Sequence, residues 1–113
     1  MEEVKFDYDE ENDSLFIYKP NQTVKGSVEI GDFVVDLAPS LNKIVGLEIM
    51  NASKNLHEAI SERINKTSLM NIKKAILRTQ QKDNVLLVIY GFVWMENEQE
   101  IEERTMMPLQ IAK

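Results

Sequence analysis

A chain of 113 residues that is 43% hydrophobic and 28% charged is large and apolar enough to fold as one domain around its own core. A formal net charge of −6 argues against a nucleic-acid-binding surface, because phosphate contacts need a basic one. The absence of cysteine removes disulfides, thiolate nucleophiles and sulfur-ligated zinc, and it suits a reducing compartment.

The opening Met1-Glu2-Glu3-Val4 is acidic where a secretory signal is basic and then apolar. The longest apolar run, Val85 to Met95, falls well short of the roughly 20 residues of a membrane-spanning helix. A soluble cytoplasmic protein with no membrane segment is expected. Val4 to Tyr8 alternates apolar and polar residues, Ser14 to Tyr18 is a short apolar run, and the polar cluster Asp9 to Asp13 between them predicts a β-hairpin. Pro20-Asn21-Gln22 breaks the pattern. Val24 to Ile30 and Phe33 to Leu37 are two further extended stretches joined by Gly31-Asp32, a pair suited to a tight turn or bulge.

After a turn at Ala38 to Asn42, the stretch from Ile44 to Met50 sets Val45, Leu47 and Ile49 on one face and Gly46 and Glu48 on the other. A glycine inside a strand marks a bulge or the close approach of another element. Helical spacing appears once, at Leu56, Ala59, Ile60 and Ile64. Asn55 with Glu58 resembles a capping box, Ser53 is an alternative cap, and Asn65 to Ser68 is expected to end a helix of about three turns. Ile72 to Thr79 is amphipathic, Gln81 to Asn84 a turn, and Val85 to Met95 apolar on both faces, which predicts a central strand covered by the helix on one side. Glu96 to Gln99 turns the chain and Ile101 to Met107 alternates again. Pro108 limits further pairing, with Leu109 and Ile111 as a possible edge segment.

Short connections favour antiparallel neighbours. The expected fold is therefore α+β: a mainly antiparallel β-sheet of six to eight strands, in hairpins and meander, with one central α-helix. Residues 1–113 read as a single domain, with additional β-hairpins over 70–111. One helix cannot cover so large a sheet, so its second face is expected to be buried against another copy, as a homodimer.

No residue is assigned a catalytic, cofactor-binding or metal-binding role. His57 is the sole histidine, it lies off the apolar stripe, and one imidazole without cysteine cannot furnish an ordinary zinc site or a nucleophilic triad. Four scattered glycines build no phosphate-cradling loop. Asp7, Asp9, Glu10, Glu11 and Asp13 offer oxygens to a hard cation, yet an EF-hand loop begun at Asp9 would place Pro20 where the bidentate Glu belongs. A solvated turn is the simpler account. Glu48 is a carboxylate within an apolar strand, and half-solvated strand positions explain it without chemistry. Tyr90, Phe92 and Trp94 share a face, but the adjoining turn is acidic, so packing explains them better than stacking on single-stranded nucleic acid.

Charge is unevenly spread. Met1 to Asp13 holds seven acidic residues against Lys5, Lys54 to Lys82 holds seven Lys or Arg against Glu58 and Glu62, and Glu96 to Glu103 holds five Glu. Solvated faces explain this, and so does a basic middle meeting an acidic partner, including the acidic end of another copy.

The segment Tyr8-Asp9-Glu10-Glu11-Asn12-Asp13-Ser14-Leu15-Phe16-Ile17, then Phe33 to Leu37, then Ile44-Val45-Gly46-Leu47-Glu48-Ile49-Met50-Asn51-Ala52-Ser53, resembles the family catalogued as domain of unknown function 2283, over roughly residues 4–56. Asn12 and Ser14 stand where that pattern often has Ala, and residues from about Ile72 lie beyond it. The resemblance implies a small prokaryotic protein without an assigned activity, and some short members look like the antitoxin half of a two-gene system. The reading that follows is a non-enzymatic, self-associating binding module. An antitoxin-like partner of a small toxin-like protein is the alternative, and an enzyme or metal binder using acidic residues comes third.

Overall fold

Short extended stretches in the first half and longer ones in the second form eight strands among the described residues. The structure, a computed structural model, describes residues 3–40 and 42–110. The expectations for Met1 and Glu2, for Leu41 and for Ile111 lie outside the described residues. In chain order the elements are β1 (Lys5–Asp9), β2 (Ser14–Tyr18), β3 (Gly26–Ile30), β4 (Phe33–Leu37), β5 (Ile44–Ile49), α1 (Ala52–Ala59), α2 (Lys66–Met70), β6 (Ile72–Lys82), β7 (Val85–Glu96) and β8 (Gln99–Gln110). The fold is α+β and mainly antiparallel β.

The strands fall into two sheets, one of five in the order β1-β2-β5-β4-β3 and one of three in the order β6-β7-β8. Every pairing is antiparallel. The β6–β7 and β7–β8 hairpins close with two residues each, and the left-handed backbone that such turns require sits at Asp83 (φ 57°), Asn97 (φ 51°) and Glu98 (φ 65°).

Leu15, Ile17, Val35, Leu47 and Ile49 from the five-stranded sheet meet Ala75, Leu77, Leu86, Val88, Tyr90, Phe92 and Trp94 from the three-stranded sheet in one core. Phe33 meets Tyr90 edge-on at 6.0 Å, and Phe92 packs on Trp94 at 5.6 Å. Full burial of side chains of this size stabilises by about 1.5–3 kcal/mol each. Burial also pushes the Tyr90 phenol up to about 12, so it stays neutral at physiological pH.

Three expectations are corrected here. The inner face of β7 is covered by the five-stranded sheet rather than by a helix, although β7 is central as expected. The helix stops at Ala59, and Ile64 reaches the core from the segment after it. Asn65 to Ser68 starts a second helix instead of ending the first: the Asn65 side chain accepts from the Ser68 amide at 3.0 Å while Ser68 Oγ accepts from the Asn65 amide at 3.2 Å. That is a capping box with serine in the usual place of Glu or Gln.

Gly91 on β7 marks the tightest approach between strands. A Cβ there would run into the backbone carbonyl of Glu103 and Cα of Arg104, neither of which can move without disrupting the β7–β8 ladder. Gly91→Ala is expected to cost about 1–3 kcal/mol and to lower the thermal midpoint by at least about 5 °C. Gly26→Ala, facing open space, should change stability by less than about 0.5 kcal/mol. Equal midpoints for the two variants in thermal unfolding would contradict this.

Candidate functional site

Two hairpin turns and the start of α1 converge at one end of the five-stranded sheet. Asn51 precedes the helix in a left-handed conformation (φ 47°), and its side chain caps nothing. The first amide groups of α1 therefore need acceptors from elsewhere. Asp13, in the β1–β2 turn, supplies them. Its main-chain carbonyl accepts from the Ala52 amide at 2.8 Å, and its carboxylate accepts from the Ser53 amide at 3.1 and 3.2 Å and from Ser53 Oγ at 2.6 Å. Tyr8 Oη donates to the same carboxylate at 2.7 Å.

Burial works against charge on Asp13. The hydrogen bonds from Ser53 and Tyr8, with the nearby charge of Lys66, outweigh it and hold the carboxyl below its ordinary value. The Tyr8 phenol is raised, first by burial and then by its bond to Asp13. Asp32, in the β3–β4 turn, completes the junction. Its carboxylate accepts from Asn55 Nδ2 at 3.0 Å and Asn51 Nδ2 at 3.4 Å, which lower its pKa, and its carbonyl accepts from the Met50 amide at 2.8 Å. Ser53 is thus the second residue of α1 and Asn55 lies within it, so neither caps the helix as the sequence suggested.

Two further carboxylates of this half are tied in the same way. Asp9 accepts from the amide and the side chain of Asn12 at 3.2 and 2.7 Å, which holds its carboxyl below the ordinary value. Asp36 accepts from Ser27 Oγ at 2.6 Å and stands over Gly46, where a Cβ would lie 2.7 Å from its Oδ2. The ladder shifts register beside it, between Asp36 and Leu37, which is the irregularity that a mid-strand glycine signals. Among the described residues, no three Asp, Glu, His or Cys side chains are placed to hold a metal ion.

His57 is exposed, with Nδ1 3.3 Å from the Ile64 carbonyl, in an open groove of about 470 Å³ with Ser53, Lys54, Asn65, Lys66 and Thr67. Glu48 is half-buried on the outward face of the five-stranded sheet, between Phe16 and Val34. Tyr90, Phe92 and Trp94 are buried in the core. The structure brings Asp13 to Ser53 and leaves His57, Glu48 and the aromatics in separate places.

One surface was only partly visible in the sequence. The outward face of the three-stranded sheet carries Val85, Leu87, Ile89, Gly91 and Val93 in one column along β7, with Lys74, Ile76, Arg78, Gln80 and Lys82 beside it on β6 and Glu102, Arg104, Met106, Pro108 and Gln110 on β8. Val85, Leu87 and Ile89 are half-buried, Val93 and Ile76 are buried, and Met106 is 57% exposed. At the free side of β6 this face opens into a cleft of about 630 Å³ that Glu3, Val4 and Lys19 also line. Its sequence signal was the stretch from Val85 to Met95, apolar on both faces, beside the basic run that ends at Lys82. Among the described residues, no helix is long and apolar enough to cross a membrane.

The family described as "Protein of unknown function (DUF2283)" matches residues 5–53, which span β1 to β5 and the first two residues of α1. An uncharacterized protein of Methanocaldococcus jannaschii is 32% identical over 92 residues, 70% of this chain and 78% of that protein. A Methanosarcina mazei protein named as a putative hypoxanthine phosphoribosyltransferase is 31% identical over 86 residues, 75% of this chain and 64% of that protein. No solved structure matches.

Asp13→Ala is expected to lose about 1–2 kcal/mol at pH 7, the usual worth of a helix cap. Asp13→Asn should lose less. Because the folded-state pKa is lowered, the contribution of the charge is complete above the ordinary carboxylate value of about 4 and is lost as pH falls through the lower folded value. Urea midpoints of the native chain and Asp13→Asn should therefore differ at pH 7, and the gap should narrow as pH falls below the ordinary carboxylate range. A gap that stays constant on acidification would contradict the charged cap.

Proposed function

The chain belongs to the DUF2283 family of proteins of unknown function, and on that premise we propose that it is a non-enzymatic, self-associating binding module of the cytoplasm. The observation that carries this reading is the apolar column on β7. Its inner neighbours Leu86, Val88, Tyr90, Phe92 and Trp94 fill the core, while Val85, Leu87 and Ile89 face outward with the five-stranded sheet on the opposite side. A contiguous apolar strip of this kind, rimmed by charge, is the usual mark of a protein-binding face. The non-enzymatic part of the reading is supported by the use made of the shifted carboxylates. Asp9, Asp13 and Asp32 are each engaged in holding a turn or the start of α1, which is a structural employment of their charge.

A second reading, an antitoxin-like partner of a small basic protein, draws on the outward face of the other sheet. Phe16 and Tyr18 stack there at 4.7 Å, Phe16 lies between Asp7 and Glu48, and Asp36 lies across Gly46 from Tyr18. Aromatic rings beside carboxylates suit Arg and Lys side chains. Isolation of the native chain with a second, basic polypeptide bound would favour it. The printed name of the Methanosarcina relative suggests a purine ligand. Hypoxanthine is expected to leave the thermal midpoint of this chain unchanged, and a rise of several degrees would favour that activity instead.

Light scattering on the full chain at tens of micromolar should return twice the 13.1 kDa chain mass. Leu87→Asp, a charge in the middle of the column, should return a monomer with its circular dichroism intact. A native chain that remains strictly monomeric would contradict self-association.

A further inference from the structure

Resting on that self-association, we propose that two copies pack their three-stranded sheets face to face about a two-fold axis parallel to β7, setting Lys74 of each copy over Glu102 of the other. The register gives the geometry. Lys74, Val93 and Glu102 lie at one level across the outward face, Ile76, Gly91 and Arg104 at the next, and Arg78, Ile89 and Met106 at the one after.

Two orientations bring an identical face onto itself with β7 over β7. A two-fold axis across the strands lays β6 on β6 with the levels reversed, so that Lys74 confronts Lys82 of the other copy and Arg78 its own counterpart, and like charges held together in an interface are repulsive. An axis along the strands keeps each level and exchanges the flanks. It lays β6 over β8, and Lys74 then shares a level with Glu102 twice over. Glu102 already pairs with Arg104 of its own chain at 2.5 Å, so the incoming ammonium joins an existing ion pair at the rim. Arg78 arrives at the level of Met106, over a thioether that is 57% exposed in the single chain. Ile76, itself only 9% exposed, arrives at the level of Gly91 and Arg104.

Five levels at about 6.8 Å on three strands about 4.8 Å apart amount to roughly 500 Å² per copy. The total of about 1,000 Å² stands at the lower bound for a specific interface, which fits a dimer of micromolar affinity.

Sedimentation equilibrium of the full chain tests this with charge reversals. Lys74→Glu and Glu102→Lys should each weaken the dimer roughly tenfold, and the double variant, with the charges exchanged, should return to within about threefold of the native constant. Thermal midpoints of the variants check that each remains folded. A folded Lys74→Glu that dimerises more tightly than the native chain would reveal β6 on β6 and overturn the proposal. A dimer indifferent to all three variants would overturn the pairing while leaving self-association standing. A native chain that is monomeric at 100-fold above the expected micromolar range would overturn both.

Discussion

A helix cannot begin beside a folded core without acceptors for its first amide groups. Here they come from Asp13, forty residues earlier in the chain. That one carboxylate joins three parts of the structure. Tyr8 donates to it from β1, its own residue turns the first hairpin at φ 51°, and Ser53 of α1 donates to it twice. Asp32 does the same from the second hairpin through Asn51 and Asn55. With both turns fastened to the helix start, β2, β5 and β4 can run side by side with their registers fixed at that end. These ties, Tyr8 with Asp13, Asp13 with Ser53, and Asp36 over Gly46, all lie within residues 5–53, the segment that matches the family.

The five-stranded sheet alone would leave Leu15, Ile17, Val35, Leu47 and Ile49 in water. The later hairpins supply their cover, and this explains why β7 is apolar on its inner face. It does not explain the outer face. Val85, Leu87 and Ile89 stand outside the core of the single chain, and in the proposed dimer a second sheet would cover them. The polar ties thus build the scaffold, and the surface column is where the proposed association would take place.

Much of this was legible in the sequence. Alternation located the strands, and the two-sided apolar run at Val85 to Met95 marked β7 as central. The division into two sheets was not legible, because a period of two assigns a residue to a face without saying which sheet faces it. The helix was overextended because Ile60 and Ile64 keep helical spacing with Leu56, while the chain in fact leaves the helix after Ala59 and still buries Ile64. Its cap was misplaced because the capping group is remote: a search for Ser or Asn followed three residues later by Glu examines only neighbours, and Asp13 is not one. Asn65 escaped for a related reason, since its box closes on Ser68.

The central claim, that two chains meet through the outward column of β7, is tested most directly by isotope-filtered NMR on a mixture of labelled and unlabelled chains. Only contacts between copies give signals there. The account predicts cross-copy contacts among the methyl groups of Val85, Leu87 and Ile89, with none involving Phe16 or Tyr18 on the other outward face. Cross-copy contacts centred on Phe16 and Tyr18, or no cross-copy contacts at millimolar concentration, would contradict it.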